Sequence, residues 1–338
     1  MIKYILKKYW IHLVFILLIN IPILIIATTR TNYEIILKGD TTKFNSVVEV
    51  DTNYIEKGSF STIYVVSETK STIFQNMVAD LVPTVEKYKI SKYESHLSAQ
   101  ESYRASKIYN NTSIDTSIIV AYEEAKKENS DINIDYSFKS FIVVGYGEKS
   151  AFRIGDEIIK INDRDNSSKE LLSNKIHGNL RVGDICKVIR DEEEIEITLT
   201  TNDSFSVTEN YKINLDTIYP KLTIKDTNIG GPSGGLLQAL SIYNRLIEED
   251  LTHGLKIAGT GTINLEGEVG AIGGIKEKIP TALDDNVDIF LCVSKNYDDA
   301  LIAYNSLPNR TRMKLIRIDT FNDDLNYLRE GYLNDFKI

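Results

Sequence analysis

The chain has 338 residues, 42% of them hydrophobic and 26% charged, enough for two or three domains with packed cores. Its formal net charge of −9 argues against nucleic acid as the main partner. Cys186 and Cys292 sit in separate apolar runs, and His12, His96, His177 and His253 show no ligand spacing, so no disulfide, metal site or cofactor is expected.

In chain order, the first feature is an apolar run. No charged residue lies between Lys8 and Arg30. As a helix, Tyr9 to Thr29 would cross a hydrocarbon core of about 30 Å. Tyr9 and Trp10 suit an interface, and Asn20 and Pro22 are tolerable within such a helix. Lys3, Lys7 and Lys8 crowd one end, against Arg30 alone at the other. The N-terminus is therefore expected in the cytoplasm and the remainder outside the cell membrane. A cleaved signal peptide is the rival reading. Against it, Ala27-Thr28-Thr29 is a poor small-x-small site and the apolar run is long for such a peptide. The expected order begins with a cytoplasmic tail (1–8), a single-pass anchor (9–29) and an extracytoplasmic connecting region (30–131).

The connecting region carries no chemical motif. Val47–Val50 and Thr62–Val66 read as strands, with a turn at Glu56–Ser59. Ser95–Ile108 and Asp115–Asn129 read as two helices, the second from the spacing of Ile118, Ile119, Tyr122 and Ala125.

Residues 132–201 contain Ser150-Ala151-Phe152-Arg153-Ile154-Gly155-Asp156-Glu157-Ile158-Ile159-Lys160-Ile161-Asn162. This resembles the small-small-apolar-x-x-Gly-Asp-x-Ile-x-x-Ile-Asn pattern of bacterial PDZ domains. Gly155 permits a turn, Asp156 can cap it, and the isoleucines pack, so each residue also has a structural role. Ser167–Ile176 reads as the groove helix, and Val188–Arg190 and Ile195–Leu199 as closing strands. The resemblance implies capture of a substrate's C-terminal tail by strand addition. The segment expected to hold the tail, Tyr136-Ser137-Phe138-Lys139-Ser140, lacks the usual glycine, which leaves a PDZ-shaped spacer as the alternative.

Residues 202–338 alternate strand and helix patterns, as an α/β unit does. Within them, Gly230-Gly231-Pro232-Ser233-Gly234-Gly235 places a hydroxyl on a glycine-rich turn. A helical pattern follows, with Leu236, Leu237, Leu240, Tyr243 and Ile247 on one face. Gly273-Gly274-Ile275-Lys276-Glu277-Lys278 places two lysines on a second such turn. Taken singly, a serine before a helix is most often an N-cap, and turn lysines are usually solvated. Together they form a nucleophile and a base, because a neutral lysine amine can take a serine proton. Composition does not separate Lys276 from Lys278.

These two motifs, with Gly259-Thr260-Gly261 between them, resemble the proteolytic domain of the Lon proteases. The likeness is closest to the membrane-anchored, PDZ-bearing Lon-like proteins of Gram-positive bacteria. It runs from about Ile213 to Tyr327 and is densest from Gly230 to Ala282. The resemblance implies that Ser233 is the nucleophile, Lys278 the base and Thr260 a support to the lysine amine, with Lys276 accessory. It also implies a homo-oligomer, often a hexameric ring. Gly234 departs from the family's usual alanine, and Thr281-Ala282 from Ala-Ala. Pro232 has no N–H, so oxyanion donors must come from Ser233 or neighbouring glycines. The helix after the second motif is expected to start near Lys278, with Pro280 in its first turn. A working Lys278 needs its pKa lowered by roughly 3 units, about 4 kcal/mol, which burial beside Ile272, Ile275 and Ile279 would supply. No Gly-x-x-x-x-Gly-Lys-Ser/Thr loop occurs, so no ATPase is expected.

The expected fold is α/β and α+β multidomain: a transmembrane helix, a PDZ domain and a Lon-type α/β proteolytic domain (202–338). The expected function is an ATP-independent, membrane-tethered serine endopeptidase acting on extracytoplasmic or membrane-adjacent proteins. The alternative is a non-catalytic, membrane-anchored PDZ scaffold.

Overall fold

The computed structural model describes residues 2–44, 47–82, 85–91, 93–200, 203–225, 230–307 and 313–332. The expected boundary between residues 201 and 202, and the side chains of Lys3 and Lys7, lie outside this description. Helix α1 (Ile2–Thr28) is interrupted at Tyr9, where φ is −115°. Its stretch Lys8–Thr28 is long and apolar enough to cross a membrane, and none of it is buried against the rest of the chain.

After α1 come strands β1 (Tyr33–Lys43), β2 (Val48–Val50) and β3 (Ser59–Glu68), helix α2 (Ile73–Ala79) and strand β4 (Glu86–Lys89). Helix α3 then runs unbroken from Ala99 to Glu128, where two helices were expected. Ser98 and Glu101 form a capping box at its start, each side chain accepting the other's backbone N–H.

The next segment is β5 (Tyr136–Tyr146), β6 (Glu157–Ile161), β7 (Arg164–Asp165), α4 (Lys169–Gly178), β8 (Ile185–Arg190), β9 (Glu193–Thr198) and β10 (Phe205–Ile213). These strands form an antiparallel sheet in the order β10-β5-β6-β8-β9, with β7 paired to β6. Its core holds Phe141, Phe152, Ile158, Ile161, Leu172, Cys186 and Val188, and Cys186 is a buried free thiol. Gly155 adopts φ +93° at the turn before β6, and Asp156 caps that turn by accepting the Arg153 N–H at 2.8 Å. Asp156 is also paired with Arg190. Tyr136–Ser140, expected as a tail-holding segment, is part of β5 and is paired to β10 through Ile213↔Tyr136 and Asn210↔Ser140.

The remainder is β11 (Leu222–Ile224), α5 (Gly235–Leu246), β12 (Lys256–Thr260), β13 (Thr262–Ile263), β14 (Val269–Gly270), α6 (Ile275–Asp284), β15 (Ile289–Val293), α7 (Ser294–Ser306), β16 (Lys314–Ile318) and α8 (Phe321–Asn326), with a π-helical turn at Tyr327–Gly331. The main sheet has the order β16-β15-β12-β3-β1-β4. β16, β15, β12 and β3 run parallel, and β1 and β4 add antiparallel. The connecting region is therefore part of this sheet: β3 lies directly beside β12 in the register Lys256↔Ser59 to Gly259↔Thr62.

Period-two alternation divides the core between the two faces of this sheet. Ile257, Ile289, Leu291 and Val293 meet α5 and α3 on one face. Ala258, Phe290 and Cys292 meet α6 and α7 on the other. Covered on both sides, β15 is buried at every position. Gly259 is required where β12 meets β15, because a Cβ there would lie 2.6 Å from the Leu291 carbonyl oxygen.

Candidate active site

Ser233 stands on the loop that leads into α5. The cap position of that helix is Gly234 and it has no side-chain cap, so Ser233 is not the N-cap that its local sequence would suggest. Leu236, Leu237, Leu240 and Tyr243 are fully buried, which fixes α5 and the loop before it. Two backbone hydrogen bonds join this loop to the end of β12. The Gly261 N–H donates to the Ser233 carbonyl at 2.9 Å, and the Leu236 N–H donates to the Gly261 carbonyl at 3.1 Å.

Thr260, the last residue of β12, is completely buried. Its hydroxyl donates to the Ser233 carbonyl at 3.1 Å. Lys278 projects from α6, which begins at Ile275 after Gly274 in the left-handed region (φ +72°). This helix starts one turn earlier than expected. The Lys278 N–H already bonds the Gly274 carbonyl, and Pro280 falls inside the helix instead of in its first turn. At Pro280 the ring nitrogen cannot donate, so the helical bond to the Lys276 carbonyl is missing.

The Lys278 Nζ lies 3.0 Å from the Ser233 Oγ and 2.9 Å from the Thr260 Oγ1. Among the described residues, its partners are these two hydroxyls. Lys278 is 1% exposed, and burial pulls its amine down to about 7 from the ordinary lysine value. Ile275 and Ile279 are buried in the same core as Ile63, Ala258 and Phe290, with Ile272 packed against it. Lys276 points elsewhere: its side chain, partly exposed, pairs with the largely buried Glu86 carboxylate at 3.3 Å.

Between these lysines, Glu277 is buried, and one of its carboxyl oxygens accepts the Glu86 N–H of β4 at 2.6 Å. Burial raises this carboxyl to about 7. Glu277 thus ties the helix of Lys278 to the edge of the main sheet.

The hydrogen-bond directions constrain the chemistry. The Thr260 hydroxyl has one proton, which the Ser233 carbonyl takes, so its lone pairs face the lysine amine. A neutral Lys278 amine can donate one N–H to Thr260 and turn its own lone pair toward the Ser233 hydroxyl. That is the orientation a general base requires.

Beside Ser233 is a cleft of about 540 Å³, lined by Phe44, β3 from Thr62 to Val66, Asn110, Gly230, Gly231, Gly234 and Gln238. Several of these residues lie in segments without a chemical motif. Helix α3 contributes a polar stripe, Ser106, Asn110, Ser113 and Ser117, at helical spacing. The Ser106 carbonyl accepts the Gly231 N–H at 2.9 Å, Ser113 donates to the Pro232 carbonyl at 3.3 Å, and the Ser117 Oγ lies 2.8 Å from the Gly235 carbonyl. That spacing was the signal available in the sequence, but it is visible only when polar residues are tested for periodicity. Gly234 has φ −93°, which any residue adopts. What sets it apart is space, since a Cβ would lie 3.1 Å from the Phe44 ring and 3.2 Å from the Thr62 hydroxyl.

Comparison with known proteins gives the same part of the chain. Residues 172–328 match the Lon protease (S16) C-terminal proteolytic domain. The Lon protease of Campylobacter jejuni subsp. jejuni is 33% identical over 145 residues, covering 42% of this chain and 17% of that protein. The Lon protease of Campylobacter concisus is 30% identical over 149 residues, covering 42% of this chain and 18% of that protein. This chain therefore spans less than a fifth of either relative. The match begins inside α4, ahead of the expected start at 202. Residues 172–328, which hold Ser233, Thr260 and Lys278, are thus similar to the C-terminal proteolytic domain of the Lon proteases, family S16.

Proposed function

We propose that this chain is an ATP-independent, membrane-tethered serine endopeptidase with Ser233 as nucleophile and Lys278 as base. The observation that carries the reading is the buried Lys278 amine, 3.0 Å from the Ser233 hydroxyl oxygen. Neutral Lys278 takes the Ser233 proton as the oxygen attacks a peptide carbonyl. The N–H groups of Ser233 and Gly234 have no partner among the described residues and are the donors available to the tetrahedral oxyanion. Collapse breaks the C–N bond, and the protonated lysine gives its proton to the departing amine. Lys278 then deprotonates the water that releases the acyl group.

An extended substrate has a place to pair. Beyond Thr62, β3 pairs among the described residues only with β1, and its other edge borders the cleft of Ser233. In the second sheet, which we read as a PDZ domain, β5 from Tyr136 to Ser140 pairs, among the described residues, only with β10. The opposite edge of β5 is the place for a substrate tail, although the Lys139 carbonyl already accepts the Asn166 side chain at 2.7 Å. Helix α1 supports a membrane anchor, the lysines at its start against Arg30 alone beyond its end support a catalytic unit outside, and the resemblance supports assembly into a ring.

The test is degradation of an unfolded protein by the full chain in detergent or nanodiscs. Ser233→Ala and Lys278→Ala are each expected to abolish cleavage, while Lys276→Ala retains it. Cleavage by Lys278→Ala at the wild-type rate would overturn the assignment. Absence of cleavage by the wild type between about pH 6 and 10 would leave the scaffold reading.

A further inference from the structure

We infer that the outward apolar face of helix α2, together with Leu81 and Val82 behind it, lies in the headgroup and upper acyl layer of a lipid bilayer, giving the folded unit a second membrane contact. The inference rests on the reading of α1 as an anchor.

Phe74, Met77, Val78 and Leu81 stand at i, i+3, i+4 and i+7, the spacing that normally faces a core. Here they face outward, with exposures of 56, 55, 42 and 81%. The inward side of the helix instead holds only Asn76 and the small Ala79 among its buried residues. Asn76 is buried and donates to the Thr31 hydroxyl at 2.8 Å and to the Thr72 carbonyl at 2.9 Å, and it accepts from the Ser71 hydroxyl at 3.1 Å. Thr72 and Gln75 close a capping box at the start of α2. These bonds hold the helix with its apolar stripe outward, because turning it over would bury the stripe only by stranding Asn76.

The place of the stripe identifies what covers it. Helix α1 ends at Thr28, and the Ile73 N–H donates to the Thr29 carbonyl at 3.1 Å. The Thr31 N–H donates to the Ser71 carbonyl at 2.9 Å, and Arg30 bridges to Thr72. So α2 begins within one hydrogen bond of the point where the apolar span ends. A seven-residue helix is only about 10 Å long, which keeps its whole stripe close to the membrane plane. An apolar stripe at that depth, opposite a polar face, is the pattern of an interfacial helix. The nearby acid, Asp80, is ion-paired with Lys87, so no unpaired charge from it opposes insertion.

The test uses the full chain in phosphatidylcholine/phosphatidylglycerol nanodiscs, with a single environment-sensitive fluorophore attached to Met77→Cys or Leu81→Cys. Leu18→Cys reports on α1, and Ile302→Cys, 63% exposed on α7, is the aqueous control. The native Cys186 and Cys292 are fully buried and do not compete. Labels at positions 77 and 81 are expected to be quenched severalfold more by doxyl lipid than the label at 302, and to be shielded from iodide. If position 18 is lipid-quenched while 77 and 81 behave like 302, the inference falls and the anchor stands. If position 18 is open to iodide, the anchor reading falls and the inference with it. Shielding at 77 and 81 without doxyl quenching, growing with protein copies per disc, would mean that a second copy covers the face, and would also overturn the inference.

Discussion

Lys278 is 1% exposed, and its only partners among the described residues are two hydroxyls. Burial holds its amine at about 7, so near neutral pH roughly half the molecules carry the neutral base. The pH dependence of kcat/KM should therefore rise through about pH 7 and level off about one unit above it. A profile from pH 5.5 to 9.5 checks this, and a rising limb near the ordinary lysine value would contradict it. The same shift bears on stability. Between about 7 and the ordinary value of 10.5, the unfolded chain holds a proton on this lysine that the folded chain does not. Stability therefore rises with pH across that window, and the cost of Lys278 is fully present below it. Lys278→Met should stabilise the fold by on the order of 4 kcal/mol near pH 6.5, with the gain vanishing toward pH 10.5, while removing activity. Urea midpoints at the two pH values measure it.

At this scale the residues that meet in the candidate site were legible, because three glycine-rich motifs in a fixed order, through their resemblance to the Lon proteolytic domain, single out Ser233, Thr260 and Lys278. The choice between Lys276 and Lys278 was not legible from the residues themselves. With α6 starting at Ile275, two positions along the helix means a turn of roughly 200°. One lysine therefore faces Glu86 and solvent, and the other faces the core. Placing the helix start at Lys278 hides that opposition.

At the scale of elements, α3 holds the loop that bears Ser233 although it carries no chemical motif. The run Tyr109-Asn110-Asn111-Thr112-Ser113 reads as a break, because asparagine, threonine and serine are weak helix formers. In the structure that weakness is offset by contacts: Thr112 bonds back to the Ile108 carbonyl at 3.1 Å, and Ser113 and Ser117 serve the backbone around Ser233. Ser117→Ala removes a hydroxyl whose single proton is shared between the Ser113 carbonyl at 2.7 Å and the Gly235 carbonyl at 2.8 Å at the start of α5. The expected cost is about 1 kcal/mol of stability. A several-fold loss in kcat with KM little changed should accompany it, because the loop bearing Ser233 loses a tether and the substrate cleft does not. Full activity alongside the stability loss would mean that the stripe only fastens two helices together.

For the whole molecule, the main surprise is which strands share a sheet. Periodicity locates strands but says nothing about partners some 200 residues away, so the pairing of Ser59–Thr62 with Lys256–Gly259 was not visible in the sequence. The same limit concealed that β10, placed on the proteolytic side of the expected boundary, pairs with β5 in the second sheet. The C-terminal segment taken alone retains β12, β15 and β16 but loses β3, β1 and β4. It loses buried Phe60 and Ile63, the Phe44 wall of the cleft, and α3, which covers α5. β12 would become an open edge next to the Ser233 loop, with its apolar faces half uncovered. A 202–338 fragment is therefore expected to show no cooperative urea transition and no labelling of Ser233 by a fluorophosphonate, with both restored on co-expression with 30–201. A cooperative transition in the isolated fragment, with Ser233 reactive, would mean that the N-terminal strands decorate a unit already complete. The present pairing argues the reverse: Lys278 and Thr260 come from one end of the chain, and the wall of the cleft beside Ser233 comes largely from the other.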